Sequence, residues 1–121
     1  MSKRVLMIED HEDNRRILGD LLTSNGYDVI EADNGVDGVN AAENFLPDLI
    51  LMDIQLPGID GYEATRRIRA NPETRKIPII VMTSYALSGD DIKALEAGCD
   101  AYVAKPFSPR VILSKIREYL P

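Results

Sequence analysis

Short apolar runs alternate along the chain with segments of helical period, and this alternation predicts the fold. Residues 5–8, 49–52 and 79–82 are unbroken apolar stretches that are too short for helices. Such runs are typical of strands that are covered on both faces of a parallel sheet. Residues 27–31 alternate apolar and polar positions and predict an edge strand, and residues 101–104 form a short fifth run.

Between these runs, apolar residues recur at the spacing of an amphipathic helix. Asn25-Gly26 and Pro47 are plausible ends for the first and second helices, while Ser108 as cap and Pro109 at the first helical position begin the fifth. The third and fourth patterns are weaker. The five predicted apolar stripes are Ile17, Leu18, Leu21 and Leu22; Val36, Val39, Ala42 and Leu46; Tyr62, Thr65 and Ile68; Ile92 and Leu95; and Val111, Ile112, Ile116 and Leu120.

The order of elements is therefore a βα unit repeated five times with short connections. Right-handed crossovers place helices on both faces of a parallel sheet. We expect an α/β fold with strand order 2-1-3-4-5, whose switch point lies between strands one and three. The length of 121 residues suits one domain, so residues 1–121 are predicted to form a single unit.

Charge and composition narrow the classes of partner. The chain carries 20 acidic and 14 basic residues, a net charge of −6, which argues against direct binding to nucleic acid. Arg66, Arg67 and Arg69 are interrupted by apolar residues and suggest the solvent side of a helix. With a single cysteine, Cys99, no internal disulfide is possible. No membrane span or secretory signal is apparent, so we expect a cytoplasmic protein without membrane contact.

Candidate chemistry gathers just after the predicted strands. Glu9 and Asp10 follow strand one, Asp53 ends strand three, Thr83 follows strand four and Lys105 follows strand five. In open parallel sheets these positions meet at one edge, next to the switch point. The alternative is that each acid caps the following helix, but the combined set of three acids, a hydroxyl and a lysine favours a functional site.

Three carboxylates in one crevice repel one another unless a cation lies among them. Oxygen ligands favour Mg²⁺ over Zn²⁺, and we expect Asp10 and Asp53 to bind it directly and Glu9 to act through water. The sequence contains no glycine-rich phosphate loop, so nucleotide binding is not expected. His11, the one histidine, is interpreted as a solvated loop residue, and Cys99 as a small packed residue.

Several segments, in order, resemble the motifs of response-regulator receiver domains in two-component signalling. The resemblance extends from about residue 3 to residue 120 and is strongest to stand-alone cell-division and chemotaxis regulators. The segments are the acidic pair Glu9-Asp10, the phosphoacceptor segment at residues 51–61, the pair Thr83-Ser84, and residues 102–107 with Tyr102, Lys105 and Pro106.

This resemblance implies a flavodoxin-like receiver fold and a phosphoacceptor switch rather than a conventional enzyme. A sensor histidine kinase or a histidine phosphotransfer protein would donate the phosphoryl group to Asp53 with the help of Mg²⁺ and Lys105, and the protein would assist its own phosphorylation and dephosphorylation. Thr83 and Tyr102 would be the switch residues. Gln55 would bind the metal through its backbone carbonyl.

The resemblance also implies how the signal leaves the domain. The region from Leu87 to Tyr119 would contact a downstream protein target, and no attached effector is expected after Leu120. The family carries a cis peptide before the residue matched by Pro106, which would direct Lys105 inward. Met1 favours a separate gene product over a receiver excised from a hybrid kinase.

Two other functions remain open at this point. One is a Mg²⁺-dependent phosphohydrolase with an aspartyl nucleophile, although Gln55 stands where a second acid would be expected. The other is an interaction module that is never phosphorylated, which the complete set of acids disfavours.

Tyr85 lies two residues beyond Thr83, where a bulky side chain can restrict access of water to a phosphoryl group. We therefore expect Tyr85→Ala to accelerate dephosphorylation of the purified protein. Mass spectrometry over time measures this rate as the loss of the phosphoryl group from the parent and from the variant. An unchanged or slower rate in the variant would reject the shielding hypothesis.

Overall fold

A computed structural model of the chain describes residues 2–83, 90–105 and 108–121, in which five strands alternate with five helices. The elements are β1 (Arg4–Ile8), α1 (Glu12–Ser24), β2 (Asp28–Ala32), α2 (Gly35–Phe45), β3 (Leu49–Asp53), α3 (Gly61–Ala70), β4 (Ile79–Thr83), α4 (Asp90–Ala97), β5 (Ala101–Ala104) and α5 (Pro109–Tyr119).

The five strands form one parallel sheet in the order β2-β1-β3-β4-β5, which confirms the predicted topology. β1 pairs with both β2 and β3, so the direction in which successive strands are added reverses at the β1–β3 boundary. Every residue of β3 and of β4 is buried, whereas β2 is partly exposed, as expected for an edge strand. The switch point therefore lies where the sequence predicts it.

Two apolar layers cover the sheet, and the alternation of side chains along each strand divides them. Leu6, Ile50 and Val81 face one layer, which α2, α3 and α4 complete. The neighbouring strand residues, such as Val5 and Leu51, face the other layer, which α1 and α5 complete. Burial on both faces is the reason that these strands are unbroken apolar runs in the sequence.

The predicted helical stripes are too wide in several places. Val36 is 44% exposed and Leu46 is 49% exposed, so neither belongs to the buried face of α2. That face contains Gly35 and Gly38 in addition to Val39 and Ala42. At Gly38 the helix lies so close to the sheet that a Cβ atom would be 2.5 Å from the side chain of Ile8 in β1. Leu46 lies beyond the helix in a left-handed conformation, with φ 46°. Ile17, Leu95 and Val111 are also exposed.

The predicted cap of α5 is confirmed, and two further helices begin at polar residues that the sequence analysis does not name. The Ser108 side chain accepts a hydrogen bond from the Val111 backbone N–H at 3.3 Å, and Pro109 opens α5. Asn34 and Asp60 cap α2 and α3 in the same way. Each cap satisfies one of the backbone N–H groups that have no partner within the helix.

The sequence interpretation of Arg66, Arg67 and Arg69 as the solvent side of a helix is correct for two of them and wrong for Arg69. Arg66 and Arg67 are exposed and pair with Glu63, as a solvent-facing surface requires. The Arg69 guanidinium instead donates to the Gly98 carbonyl at 2.7 Å and to Asp100 Oδ2 at 2.7 Å. It also donates to the Ile77 carbonyl at 2.7 Å. Arg69 thus connects α3 to the segments before β4 and after α4.

None of the helices in the described ranges combines the length and the apolar character needed to cross a bilayer. The longest of them, α1, has 13 residues, whereas a membrane-spanning helix needs about 20.

Gly61 provides a stability test of the close approach between α3 and the end of β3. A Cβ atom at Gly61 would lie 2.5 Å from the Asp53 carbonyl oxygen and 2.7 Å from Ile54 Cα, which are backbone atoms that cannot rotate away. We expect Gly61→Ala to lower the free energy of unfolding by about 2–4 kcal/mol. Urea denaturation measures this loss.

Gly19 in α1 provides the matched control, since a Cβ atom there would meet only Met7 Cε, at 3.8 Å. Gly19→Ala is expected to raise stability by about 0.5–1 kcal/mol because alanine favours the helical conformation. Equal effects of the two substitutions would contradict the steric explanation.

Candidate functional site

The carboxyl edge of the sheet collects the residues singled out in the sequence. Asp53 is the last residue of β3 and pairs in register with Met82 of β4. Thr83, the last residue of β4, pairs with Ala104, directly before Lys105. Glu9 follows β1 and donates its backbone N–H to the Ala32 carbonyl at 3.0 Å. The parallel register therefore brings residues from four strands to one edge.

A single ammonium group joins the two buried carboxylates of this edge. Lys105 Nζ lies 3.1 Å from Asp53 Oδ2 and 3.2 Å from Glu9 Oε2. The side chains of Glu9 and Asp53 are 0% and 4% exposed, and that of Lys105 is 19% exposed. Because these charges are shielded from water, their attraction is stronger than that of a surface ion pair, and the repulsion between the two carboxylates is stronger too.

The second oxygen of Glu9 faces α1. Glu9 Oε1 lies 2.9 Å from His11 Nδ1 and accepts a hydrogen bond from Asn14 Nδ2 at 3.3 Å. The His11 ring is 63% exposed, so the expected contact with solvent is present, but the sequence interpretation does not include its contact with the acids. Nor does it include Asn14. The available signal for Asn14 is its position one helical turn after the acidic pair.

Burial and the neighbouring charges together set the pKa values at this site. Removal from water and the neighbouring Glu9 raise the pKa of Asp53 to about 6, against the opposing charge of Lys105. Burial also favours the neutral form of Glu9, but hydrogen bonds with Asp53 and His11 and the charge of Lys105 outweigh it and lower the Glu9 pKa. Burial lowers the pKa of Lys105, but the charges of Asp53 and Glu9 outweigh it and raise that pKa overall. One ammonium does not neutralise this group of acids.

The donor set fits a divalent cation. One ligand atom each from Glu9, Asp10, His11 and Asp53 lies within 4.8 Å of the others. Asp10 Oδ1 is buried and has no hydrogen-bond partner among the residues that the structure describes, although it lies 3.2 Å from His11 Nδ1. An oxygen left in this state is destabilising unless an ion binds it. Carboxylate oxygens are the ligands that Mg²⁺ prefers.

Gln55 lies against this cluster through its main chain. Its backbone N–H donates to Asp53 Oδ1 at 3.3 Å, while the residue as a whole is exposed. Nearby, the Gly61 N–H donates to the Ile54 carbonyl at 2.8 Å and fixes the loop that follows β3.

Thr83 and Tyr102 occupy one face of the sheet. Thr83 is 1% exposed, and Tyr102 packs partly buried against the layer that contains Val81. Val81 pairs with Tyr102 in register, and residues two apart on a strand share a face, so Thr83 and Tyr102 lie diagonally on that face. Ser84, Tyr85, Leu87 and Pro106, with the expected cis peptide, lie outside the described residues.

A family model described as the response regulator receiver domain matches residues 5–117. The chain belongs to this family. It is 40% identical over 120 residues to the polar-differentiation response regulator DivK of Brucella anthropi, covering 99% of this chain and 98% of that relative. The receiver domain is therefore similar to a relative of almost the same length.

Solved structures agree with this assignment. The receiver domain of a sensor histidine kinase from Pseudomonas aeruginosa matches with 38% identity and a TM-score of 0.93, over 99% of this chain and 98% of that chain. That structure holds a magnesium ion coordinated in its active site cleft. A chemotaxis response regulator of Vibrio cholerae matches with a TM-score of 0.93 but only 23% identity, covering 98% of this chain and 99% of that chain, and supports the fold alone.

The family assignment gives the function in outline. The chain is a receiver domain of two-component phosphorelay signalling and acts as a phosphoacceptor switch. Receiver domains bind Mg²⁺ at an acidic site, and they interact with histidine kinases or phosphotransfer proteins and with downstream targets. This receiver has an acidic cluster that fits such an ion.

The raised pKa of Asp53 generates a prediction for the metal-free protein. A buried acid whose pKa is higher in the folded state than in the unfolded state stabilises the fold below the unfolded value, near 4, and this contribution is lost as the pH rises through about 6. Asp53→Asn should therefore be more stable than the parent above pH 6, by about 1–3 kcal/mol, and should differ little near pH 4.

Urea denaturation at several pH values, in the presence of a chelator, measures this difference. Groups far from residue 53 titrate alike in the parent and the variant, so their contributions cancel in the difference of unfolding free energies. A variant that is less stable than the parent at neutral pH would show that the Asp53 charge does not destabilise the metal-free fold.

Proposed function

We propose that Asp53 accepts the phosphoryl group in this receiver domain, with a phosphohistidine of a sensor histidine kinase or a histidine phosphotransfer protein as donor. The domain comprises residues 1–121 and acts in the cytoplasm. The observation that carries the proposal is the Lys105 ammonium, which lies 3.1 Å from the buried Asp53 carboxylate. No other lysine is described in contact with that carboxylate.

The transfer needs an ionised carboxylate at Asp53. An oxygen of Asp53 forms the new bond to phosphorus as the bond from phosphorus to the donor imidazole breaks, and the donor histidine leaves. Burial disfavours the ionised form, and the positive charge of Lys105 favours it. Lys105 also neutralises charge on the phosphoryl oxygens as they approach, which is the main requirement of this reaction.

Asp10, Asp53 and the backbone carbonyl of Gln55 would hold Mg²⁺ directly, and Glu9 would act through a water molecule. The bound ion supplies further charge neutralisation for the phosphoryl oxygens. The same residues and Lys105 would also assist dephosphorylation, in which water attacks phosphorus, the bond to the Asp53 oxygen breaks and inorganic phosphate leaves. The domain would thus promote both its own phosphorylation and its own dephosphorylation.

Thr83 and Tyr102 would convert phosphorylation into a change of surface. The Thr83 hydroxyl would hydrogen-bond a phosphoryl oxygen, and Tyr102 would fill the space that Thr83 leaves. Such a switch requires contacts that differ between the two states. The shared sheet face of the two residues supports this coupling.

The output surface is the region from Leu87 to Tyr119, where a downstream protein target would bind. Its described part contains two large apolar side chains that are exposed, Leu95 on α4 at 57% and Val111 on α5 at 48%. Burial of such side chains against a partner is a common source of binding energy.

Incubation with Mg²⁺ and acetyl phosphate tests the proposal. We expect the mass to increase by one phosphoryl group in the parent and not at all in Asp53→Asn. Lys105→Met should slow labelling by about 100-fold or more, because a buried charge that contacts the phosphoryl group is lost. Lys115→Met is the matched control, since Lys115 pairs with Glu118 on α5 away from the site.

Label that persists in Asp53→Asn would remove Asp53 from the proposed role. Equal rates in the parent and in Lys105→Met would remove Lys105 from it.

A further inference from the structure

The imidazole of His11 lies within the cluster of carboxylates that fits a divalent ion. His11 Nδ1 is 3.2 Å from Asp10 Oδ1 and 2.9 Å from Glu9 Oε1, and all four ligand atoms of the cluster lie within 4.8 Å of one another. The proposed phosphoacceptor chemistry uses only oxygen ligands from this cluster. It therefore assigns the ring nitrogen no part in binding the ion.

These spacings suit neighbouring ligands of one ion. Two ligand atoms at right angles on an octahedral ion, each with a bond of about 2.1 Å, are about 3.0 Å apart. The distance from His11 Nδ1 to the unsatisfied Asp10 Oδ1 is close to this value. His11 directly precedes α1, and its backbone N–H donates to Glu9 Oε1 at 3.3 Å. The backbone therefore holds the residue beside the acids.

We infer that His11 is a direct metal ligand and that the site binds first-row transition dications, such as Co²⁺ or Zn²⁺, in preference to Mg²⁺. This inference rests on the proposed function, because it concerns the ion of the same site. Imidazole nitrogen is a good ligand for these ions, whereas Mg²⁺ prefers oxygen. The chain has no other histidine, and Cys99, its one thiol, is buried in the core at 6% exposure.

The consequence is a site that fills at a lower concentration of a transition dication than of Mg²⁺. A mixed set of carboxylates and one imidazole tolerates both kinds of ion, since the carboxylate oxygens serve either. Asp10 and Asp53 would be shared by both ions, and His11 would separate their affinities.

X-ray absorption of the Co²⁺ complex of the untagged protein tests the ligand directly. We expect outer-shell scattering from an imidazole ring in the parent at about pH 8, a condition that favours metal binding because the ligands have to be deprotonated. That scattering has to vanish in His11→Asn, because His11 is the single histidine. A shell of oxygen atoms without ring scattering in the parent would overturn the inference.

Calorimetric titration with Co²⁺ and with Mg²⁺ gives an independent measure. We expect His11→Asn to weaken Co²⁺ binding by about 10-fold or more and Mg²⁺ binding by less than about 2-fold. Asn14→Ala is the matched control, since Asn14 also hydrogen-bonds Glu9 Oε1 but offers no imidazole. An equal loss for both ions, or the same loss of Co²⁺ binding in Asn14→Ala, would show that His11 merely positions Glu9 and would overturn the inference.

The phosphorylation assay separates this inference from the proposed function. A parent protein that is labelled on Asp53 with Mg²⁺, but whose Co²⁺ complex lacks imidazole scattering, retains the proposed function and loses the inference. If Asp53 is not labelled but imidazole scattering is present, the proposed function is lost and His11 is retained as a metal ligand. In either case Asp53→Asn should weaken Co²⁺ binding, because its carboxylate is shared.

Discussion

Accumulated negative charge at the carboxyl edge of the sheet is the constraint around which this receiver domain is arranged. The parallel register places the acids after β1 and at the end of β3 within a few ångströms of one another. Lys105 comes from the far side of the sheet to lie between two of them. Since one ammonium cannot balance this charge, the site attracts further cations. Such cations in turn neutralise the charge on the oxygens of a phosphoryl group.

The apolar sheet makes this electrostatic arrangement possible. β3 is buried along its whole length, and Asp53, its last residue, is only 3% exposed. α3 begins at Gly61, against the backbone of the same strand end, because that position has no side chain. Packing thus removes water from the carboxylate and raises its pKa. The cost in stability at the acidic edge is offset by the apolar layers on both faces.

The sequence is sufficient to predict the topology, since unbroken apolar runs, helical periods and cap residues are local signals of elements. The strand order and the edge at which Glu9, Asp53 and Lys105 meet follow from the general rules of parallel sheets. Periodicity wrongly assigns the exposed Val36 and Leu46 to a buried face, because it does not reveal how closely a glycine-containing helix approaches the sheet.

Contacts between distant parts of the chain are beyond such local signals. Arg69 has the sequence pattern of a surface arginine because its partners, Gly98 and Asp100, lie about thirty residues later. Likewise, the orientation of the His11 ring toward the acids depends on the backbone turn before α1, which composition and spacing do not specify.

The Arg69 contacts have a mechanical consequence for signalling. The carbonyl of Gly98 and the carboxylate of Asp100 are anchored to α3 by one rigid guanidinium, and Asp100 Oδ2 also accepts the Ile79 N–H at 2.8 Å. The carboxyl-terminal end of α4 is therefore clamped to the body of the domain. A rearrangement of that helix that keeps these hydrogen bonds would pivot about this clamp, so the displacement would grow with distance from Gly98 and be largest at the amino-terminal end of α4.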